Sequence, residues 1–428
     1  MLGFIILPLS LLATTSTQKN LMSLNIKIIR KDFPVLGKKI NGKPIIYFDN
    51  ACMSLKPIQV IRAMDDYYLN YTGCHGRSAH RFGRQTTEMY NRTRQKIREF
   101  INAQKDGEII FTKNTTEAIN LVARGLQLKQ GDIVLLSEIE HNSNLIIWQL
   151  LKRQAGIEYK IIRLNDDLTF DLNQLAANLT DKVKLVSLAH TSNISGVTFP
   201  AKQIIALAHK FNALVMLDGT QSIPHRRIDV QDLEADFFVF SIHKMLGPTG
   251  VGVLYGKEKL LKNMPQFIVG GETLIDSTYE SYTPAHLPEK FEAGLQDYAG
   301  VIGAAKAIEY LKNLGTENIL LQENKLNTII SEGLLKIAGI RILGPQDPHL
   351  RGSMINFYAE GINPLDLAMV LDESANIMVR AGKHCGHAWY NSRHLDGSVR
   401  ASLYFYNTQE EAETFVKNVN TAVNFLNK

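Results

Sequence analysis

Residues 213–256 read ALVMLDGTQSIPHRRIDVQDLEADFFVFSIHKMLGPTGVGVLYG. The apolar run 213–217 stops abruptly at Asp218-Gly219. A run of this length closed by Asp-Gly reads as a parallel strand buried on both faces. A second run, 237–240, ends in Ser241-Ile242-His243-Lys244, and a third, 251–255, follows a Gly-Pro-Thr-Gly turn. A carboxylate and a lysine therefore both stand at strand ends, where open α/β sheets bind their ligands.

That pairing suits pyridoxal 5'-phosphate. The cofactor needs a lysine amine to condense with its aldehyde and an acid to keep its pyridinium nitrogen charged. Lys244 fits the first part and Asp218 the second. Gln221, three residues on, can reach the ring's phenolic oxygen. Ser241 and His243 flank the lysine and can hold phosphate. Spacing alone leaves a plainer alternative open, in which Asp218 caps a turn and Lys244 is solvated.

Ser241-Ile-His243-Lys244, then Gly247-Pro-Thr-Gly-Val-Gly252, with Asp218-Gly-Thr-Gln221 upstream, resembles the class V aminotransferases, which are fold-type I enzymes. Within that family the resemblance is to group II cysteine desulfurases and selenocysteine lyases, and it runs from about Ile28 to the C-terminus. It implies an α/β architecture with a mainly parallel seven-stranded sheet in a large domain. A smaller α+β domain follows. Residues 22–44 are expected to pack on the small domain, 45–290 to bind the cofactor, and 291–428 to carry a reactive cysteine.

Bulk properties agree with one soluble enzyme. A chain of 428 residues can bury a large core and form two domains. Its net charge of +5 is modest and no long basic run is present, so nucleic acid is not an expected partner. Three cysteines, Cys52, Cys74 and Cys385, are too few and uneven for a disulfide framework, which points to a reducing, cytoplasmic setting. The apolar stretch 4–13 is too short to span a bilayer and has no Lys or Arg before it. Residues 1–21 therefore read as an over-extended start, with Met22 as the true one, and no membrane is expected.

In chain order, 45–48 is a short strand leading into Asp49-Asn-Ala51-Cys52. The resemblance places such a loop beside the substrate, with Ala51 a contact and alanine usual where Cys52 stands. Cys52 by itself reads as a small buried residue. Residues 57–69 and 86–102 read as helices. His80 would be a loop histidine on its own; the resemblance aligns it with one near the substrate. Thr115 can cap the helix opening after strand 109–111, and free amides there can take a phosphate. The resemblance puts both Thr115 and Thr116 at the cofactor phosphate. His141, after strand 132–137, matches a ring-stacking histidine with a part in catalysis. Asn193, after strand 184–189, matches a residue touching the ring oxygen and the substrate. No Gly-X-Gly-X-X-Gly follows an early strand, so a dinucleotide is disfavoured. Residues 268–297 read as irregular. Leu295 stands where the resemblance expects a threonine reaching the other subunit's phosphate, and Gln296 is a polar neighbour. Residues 298–314 read as a linking helix.

The second strong signal is Val379-Arg380-Ala-Gly-Lys383-His384-Cys385, with Arg400 after it. Two guanidinium groups suit an amino acid carboxylate, because each can offer parallel bonds. Read alone, they are also compatible with surface arginines and a stray cysteine. The resemblance makes Arg400 the main clamp, Arg380 its neighbour and Cys385 the nucleophile. Lys383, His384 and His387 surround that cysteine with potential cations. The stretch Gly386-His-Ala-Trp-Tyr390 departs from the family pattern. No metal-ligand spacing occurs near His80.

The resemblance thus implies conversion of L-cysteine to L-alanine, with sulfur carried as a persulfide on Cys385. An acceptor protein of iron–sulfur cluster assembly, or of another sulfur-containing cofactor, would take it, and the enzyme would be a homodimer. Rival readings are a selenocysteine lyase acting on L-selenocysteine, another class V enzyme such as a transaminase, and a non-catalytic subunit that only holds the cofactor. Relative rates on the two amino acids, net amino transfer to a keto acid, and absence of turnover separate them.

Overall fold

A computed structural model describes residues 24–427 of the chain. The expected extension 1–21 and the start at Met22 lie outside the described residues. Seven strands form the main sheet: β1 (Ile109–Thr112), β2 (Ile133–Ser137), β3 (Glu158–Ile162), β4 (Val183–Ala189), β5 (Leu214–Asp218), β6 (Phe237–Ser241) and β7 (Gly252–Gly256). Their order across the sheet is β1-β7-β6-β5-β4-β2-β3. β7 runs antiparallel to both of its neighbours and the other strands are mutually parallel. The reversal follows from the chain. Too few residues separate β6 from β7 for a crossover helix, so the pair closes as an antiparallel unit.

Both faces of this sheet are covered, and successive side chains go to opposite cores. Ile133 and Leu135 join one apolar cluster, while Val134 and Leu136 join the other. Phe238 and Phe240 alternate in the same way with Phe237 and Val239. That is why these strands read as continuous apolar runs rather than as alternations. β3 is the exception. It is an edge strand with Glu158 and Lys160 exposed, so its mixed composition gave no strand signal.

A second, antiparallel sheet follows: β8 (Ile340–Ile342), β9 (Met354–Ala359), β10 (Arg380–Gly382) and β11 (Ser398–Ser402), in the order β8-β9-β11-β10. Helices Thr316–Leu334, Pro364–Ala375 and Gln409–Leu426 supply Leu326, Leu367 and Phe415 to its core. The short strand Ile46–Tyr47 pairs with Ile377–Met378, and Ile46 and Phe48 enter this same core. The loop at 49–52 therefore leaves the second sheet and points back at the first.

Helix Tyr298–Leu314 has the expected limits. Helix Arg81–Phe100 starts earlier than its amphipathic pattern indicated, because His80 caps it. Residues 268–297 are not wholly irregular: Leu274–Ser277 and Tyr282–Pro284 form a hairpin.

One buried ion pair fastens the segment that follows. Arg94 donates from both terminal nitrogens to Glu292, at 2.7 and 2.8 Å, and both side chains are about 4% exposed. Glu292 also accepts from Tyr90 Oη at 2.9 Å and from the Phe111 amide at 2.7 Å. This links residues 291–297 to the helix Arg81–Phe100 and to edge strand β1. Removing one partner strands a buried charge, which costs about 3–5 kcal/mol. Glu292→Gln is therefore expected to lower unfolding stability by a few kcal/mol in denaturant titration; an unchanged midpoint would show that the pair fastens nothing.

Candidate active site

Five strands of the main sheet deliver side chains to one cavity at their carboxyl ends. Thr115 and Thr116 follow β1, His141 follows β2, Thr191 and Asn193 follow β4, Asp218 ends β5, Ser241 ends β6, and His243 and Lys244 follow it. These residues, with Asn114, Ser143, Thr220 and Gln221, line a cavity of about 190 Å³.

Lys244 is half-buried, and its amine donates to the Ala51 carbonyl at 2.5 Å. Burial, with the Arg400 charge adding to it, lowers the amine from its ordinary range to about 8. Cys52, Asp218 and Asp49 pull the other way. A substantial neutral fraction near pH 8 is what a lysine needs to act as nucleophile or base. Asp218 is half-buried at the end of the neighbouring strand. Burial raises its carboxyl, while Thr220 and the Lys244 charge oppose the rise. Its Oδ1 accepts from the Thr220 amide at 2.9 Å.

At the other end of the cavity is a chain of hydroxyls. Thr115 Oγ1 lies 2.7 Å from both Thr220 Oγ1 and Ser241 Oγ, and Thr116 Oγ1 lies 2.7 Å from Ser143 Oγ. The Thr115 amide donates to Ser241 Oγ at 2.9 Å. Capping of this helix falls to Asn114, not to Thr115 as the sequence indicated: Asn114 Oδ1 accepts from the Glu117 amide at 3.0 Å. The threonine hydroxyls are thereby left for the cavity. Hydroxyls gathered at a helix N-terminus form a ready anion cradle.

His141 is half-buried, and its Nδ1 accepts from the Ser143 amide at 3.1 Å. Burial, then the charges of Lys244, Arg400 and Arg380, lowers the ring to about 4, so it is a neutral platform at pH 7. His243 is held near 4 by burial and by Lys244 and Lys56. Behind His141, the buried Glu140 accepts from the Ala189 amide at 2.9 Å and from Asn144 Nδ2 at 2.8 Å, tying the histidine loop to the end of β4. Gln221 Nε2 donates to the Ala51 carbonyl at 2.8 Å.

A cationic wall comes from the second sheet. Arg380 and Arg400 are direct register partners on β10 and β11, so their spacing in sequence becomes adjacency in space. Arg400 is buried, donates to the Asn193 carbonyl at 3.0 Å and lies 3.6 Å from Asp49 Oδ1. Its Nε and that Asp49 oxygen have no hydrogen-bond partner. Arg380 Nη1 donates to Cys52 Sγ at 2.8 Å. Cys52 is thus only half buried and faces a guanidinium, rather than being a passive small core residue.

Cys385 sits at the rim, in a tight turn and not in a long loop. His384 and Cys385 both have positive φ, 45° and 58°. The turn is tied at two points: the Asn142 amide donates to the Cys385 carbonyl at 2.7 Å, and Asn193 Nδ2 donates to the His384 carbonyl at 2.7 Å. Gly386 packs so closely on Ile194 that a Cβ would come within 2.3 Å of its side chain. The departure after the cysteine has a structural reason. Trp389 and Tyr390 are buried and wind the segment into the helix His387–Ser392. The surrounding cations are fewer than expected. His384 is buried and held far below its ordinary range by burial and by Arg400 and Arg380, while Lys383 donates to Asn391 at 2.6 Å.

Not every candidate converges. His80 is exposed and accepts from the Gly83 amide at 3.2 Å as a helix cap. Leu295 is 72% exposed, and Gln296 turns its amide to Ala293 and Gly294 of its own loop. Asn114, Ser143, Thr191, Thr220 and Asp49 were not singled out in the sequence. Thr220 lies inside the Asp-Gly-Thr-Gln run and Ser143 two residues after His141, so both were within reach.

The donor set fits pyridoxal phosphate: hydroxyls and amides for a phosphate, the Asp218 carboxylate for a pyridinium, a neutral imidazole for the ring face and the Lys244 amine for the aldehyde. Because the neutral amine must react, covalent capture of added pyridoxal phosphate by apo-protein should rise from about pH 7 to about pH 9, through the lowered value of Lys244. Borohydride trapping and peptide mapping should place the label on Lys244; label on Lys56 or another lysine would contradict the assignment.

The sequence matches the Aminotransferase class-V family over residues 46–415. It is 40% identical to a probable cysteine desulfurase of Synechocystis, covering 93% of this chain and 96% of that protein. It is 37% identical to a cysteine desulfurase of Haloferax volcanii, covering 93% and 97%. The apo structure of a cysteine desulfurase from Thermococcus onnurineus superposes with a TM-score of 0.89 at 36% identity, covering 94% of this chain and 98% of that one. An Escherichia coli cysteine desulfurase solved as an S-sulfonic acid gives 0.87 at 32% identity, covering 95% and 100%. The chain belongs to the class-V aminotransferase family.

Proposed function

We infer, from membership of the class-V aminotransferase family and from the site just described, that the chain is a pyridoxal-phosphate-dependent cysteine desulfurase. It converts L-cysteine to L-alanine and passes the sulfur on. The observation that carries this reading is the meeting of three groups: Lys244 and Asp218 lining one cavity, the paired Arg380 and Arg400, and Cys385 in a turn tied to both Asn142 and Asn193.

When bound, pyridoxal phosphate supplies an electron sink that acidifies the α-carbon of an amino acid. Thr115, Thr116 and Ser241 would hold its phosphate, Asp218 its ring nitrogen, Gln221 and Asn193 its ring oxygen, and His141 its face. Arg400 receives the substrate carboxylate, with Arg380 beside it. The neutral amine of Lys244 takes the α-proton. The Cys385 thiolate attacks the substrate sulfur: an S–S bond forms, the C–S bond breaks, and its electron pair goes to the carbon skeleton, which gains protons to become alanine. Thiolate attack on sulfur follows the logic of thiol exchange.

Sulfur left on Cys385 would pass to an acceptor protein of iron–sulfur cluster assembly or of another sulfur-containing cofactor. A homodimer is part of this proposal. Exposed Leu295 and Ile268 border a cavity beside the helix that opens at Thr115, a face that a second subunit would cover. The division into a cofactor domain over 45–290 and a cysteine-bearing domain over 291–428 also belongs to the proposal, with 22–44 packing on the latter. Three cysteines without disulfides support a cytoplasmic setting. No helix among the described residues is long and apolar enough to cross a membrane. His80 is kept as a substrate-side residue only in the assembled dimer.

Incubated with L-cysteine and a thiol reductant, the holoenzyme should release alanine and sulfide in equal amounts. Cys385→Ala should keep the cofactor yet lose sulfide release. Full-rate release by that variant would remove Cys385 as the nucleophile, and amino transfer to a keto acid in place of sulfide would make the chain a transaminase.

A further inference from the structure

The short turn 49–52 engages the site's cations one by one. The Ala51 carbonyl takes the Lys244 amine at 2.5 Å. Asp49 Oδ1 lies 3.6 Å from Arg400 Nη2. Cys52 Sγ accepts from Arg380 Nη1 at 2.8 Å. The turn is itself closed by the Cys52 amide, which donates to the Asp49 carbonyl at 3.0 Å. Each arginine thus receives one side-chain partner from a single rigid turn.

The two arginines differ in how they are held. Arg400 is buried and has the Asn193 carbonyl as a second anchor. Arg380 is half buried, and among the described residues the Cys52 sulfur is the acceptor its guanidinium meets. The pair stands directly opposite across an antiparallel ladder, where like charges repel. Left alone, the half-buried arginine would swing away from its neighbour into solvent and spread over many rotamers. An acceptor on the turn counters that.

We propose that Cys52 is a positioning residue: its sulfur fixes the Arg380 guanidinium beside Arg400, so that the two form a preorganised double-armed receptor for the carboxylate of an α-amino acid. Cys52 does not touch the reacting atoms and carries no sulfur. Its effect is on how well the carboxylate is received. Preorganised groups bind more tightly because less freedom is lost on binding.

The inference rests on the desulfurase reading only for the identity of the amino acid, so its test uses the carboxylate itself. Three holoenzymes are compared: parent, Cys52→Ala and Cys52→Ser. The serine hydroxyl can accept the same bond. Each is titrated with L-alanine and with ethylamine, which lacks the carboxylate, and steady-state kinetics are run on L-cysteine. Loss of one charge-assisted hydrogen bond should raise the L-alanine Kd and the L-cysteine KM about tenfold in Cys52→Ala. kcat should stay within about twofold, and ethylamine binding should not change. Cys52→Ser should behave nearly like the parent. In an Arg380→Gln background, Cys52→Ala should add nothing further, as expected when two residues act as a unit.

The proposal is overturned by an unchanged KM and Kd in Cys52→Ala. A lowered KM overturns it too, since Cys52 would then be withholding Arg380 from substrate. Equal weakening of ethylamine, a fall in kcat alone, or full additivity with Arg380→Gln would do the same. If the parent releases no sulfide, the desulfurase reading fails while the alanine and ethylamine titrations still decide the part of Cys52.

Discussion

Burial of positive charge is the constraint on which this structure turns. Arg400 is buried, Lys244 and Arg380 are half-buried, and all three charges act on His141 at the cavity that Lys244 lines. Unpaired buried cations are costly, so each must be neutralised or matched. Lys244 answers by losing part of its affinity for a proton. Arg400 answers with Asp49 and the Asn193 carbonyl, and Arg380 with Cys52. The partners are sparse: Arg400 Nε and Asp49 Oδ1 remain without hydrogen bonds. A site so short of anions is suited to ligands that bring them, and a phosphate and an amino acid carboxylate do so.

The fold makes this concentration possible. Parallel strands end together, so β1, β2, β4, β5 and β6 deliver their loops to one rim. The second sheet adds the arginine pair from adjacent strands. Two stretches then cross between the sheets. The turn 49–52 reaches Lys244 and both arginines, and the turn at 383–386 is tied back to Asn142 and Asn193. The residue expected to accept sulfur is therefore held beside the cavity by one backbone and one side-chain hydrogen bond, in a left-handed conformation that non-glycine residues adopt at some cost.

Much of this was legible in the chain. Asp218, Ser241 and Lys244 were found because abrupt polar residues after apolar runs mark strand ends, and the sheet's two-sided burial produces those runs. Arg380 and Arg400 were assigned through the family resemblance, and the structure shows that their spacing is a register pairing. Other features were hidden for physical reasons. β3 is an exposed edge, so its residues alternate poorly. The cap at Asn114 was assigned to Thr115 because both residue types cap helices, and only geometry separates them. The neutrality of His384 comes from its burial and from the charges of Arg400 and Arg380, which no local pattern reveals. Cys52 looked like a small core residue because nothing in the sequence shows that it faces Arg380.

The proposed mechanism turns on Cys385 taking the sulfur. The most direct measurement is the mass of each cysteine-bearing peptide after the holoenzyme is mixed with L-cysteine in the absence of reductant. A desulfurase working through Cys385 leaves one added sulfur on its peptide and none on those of Cys52 and Cys74, with alanine formed in step. Alanine formation with an unmodified Cys385 peptide, or with sulfur on Cys52, would contradict it.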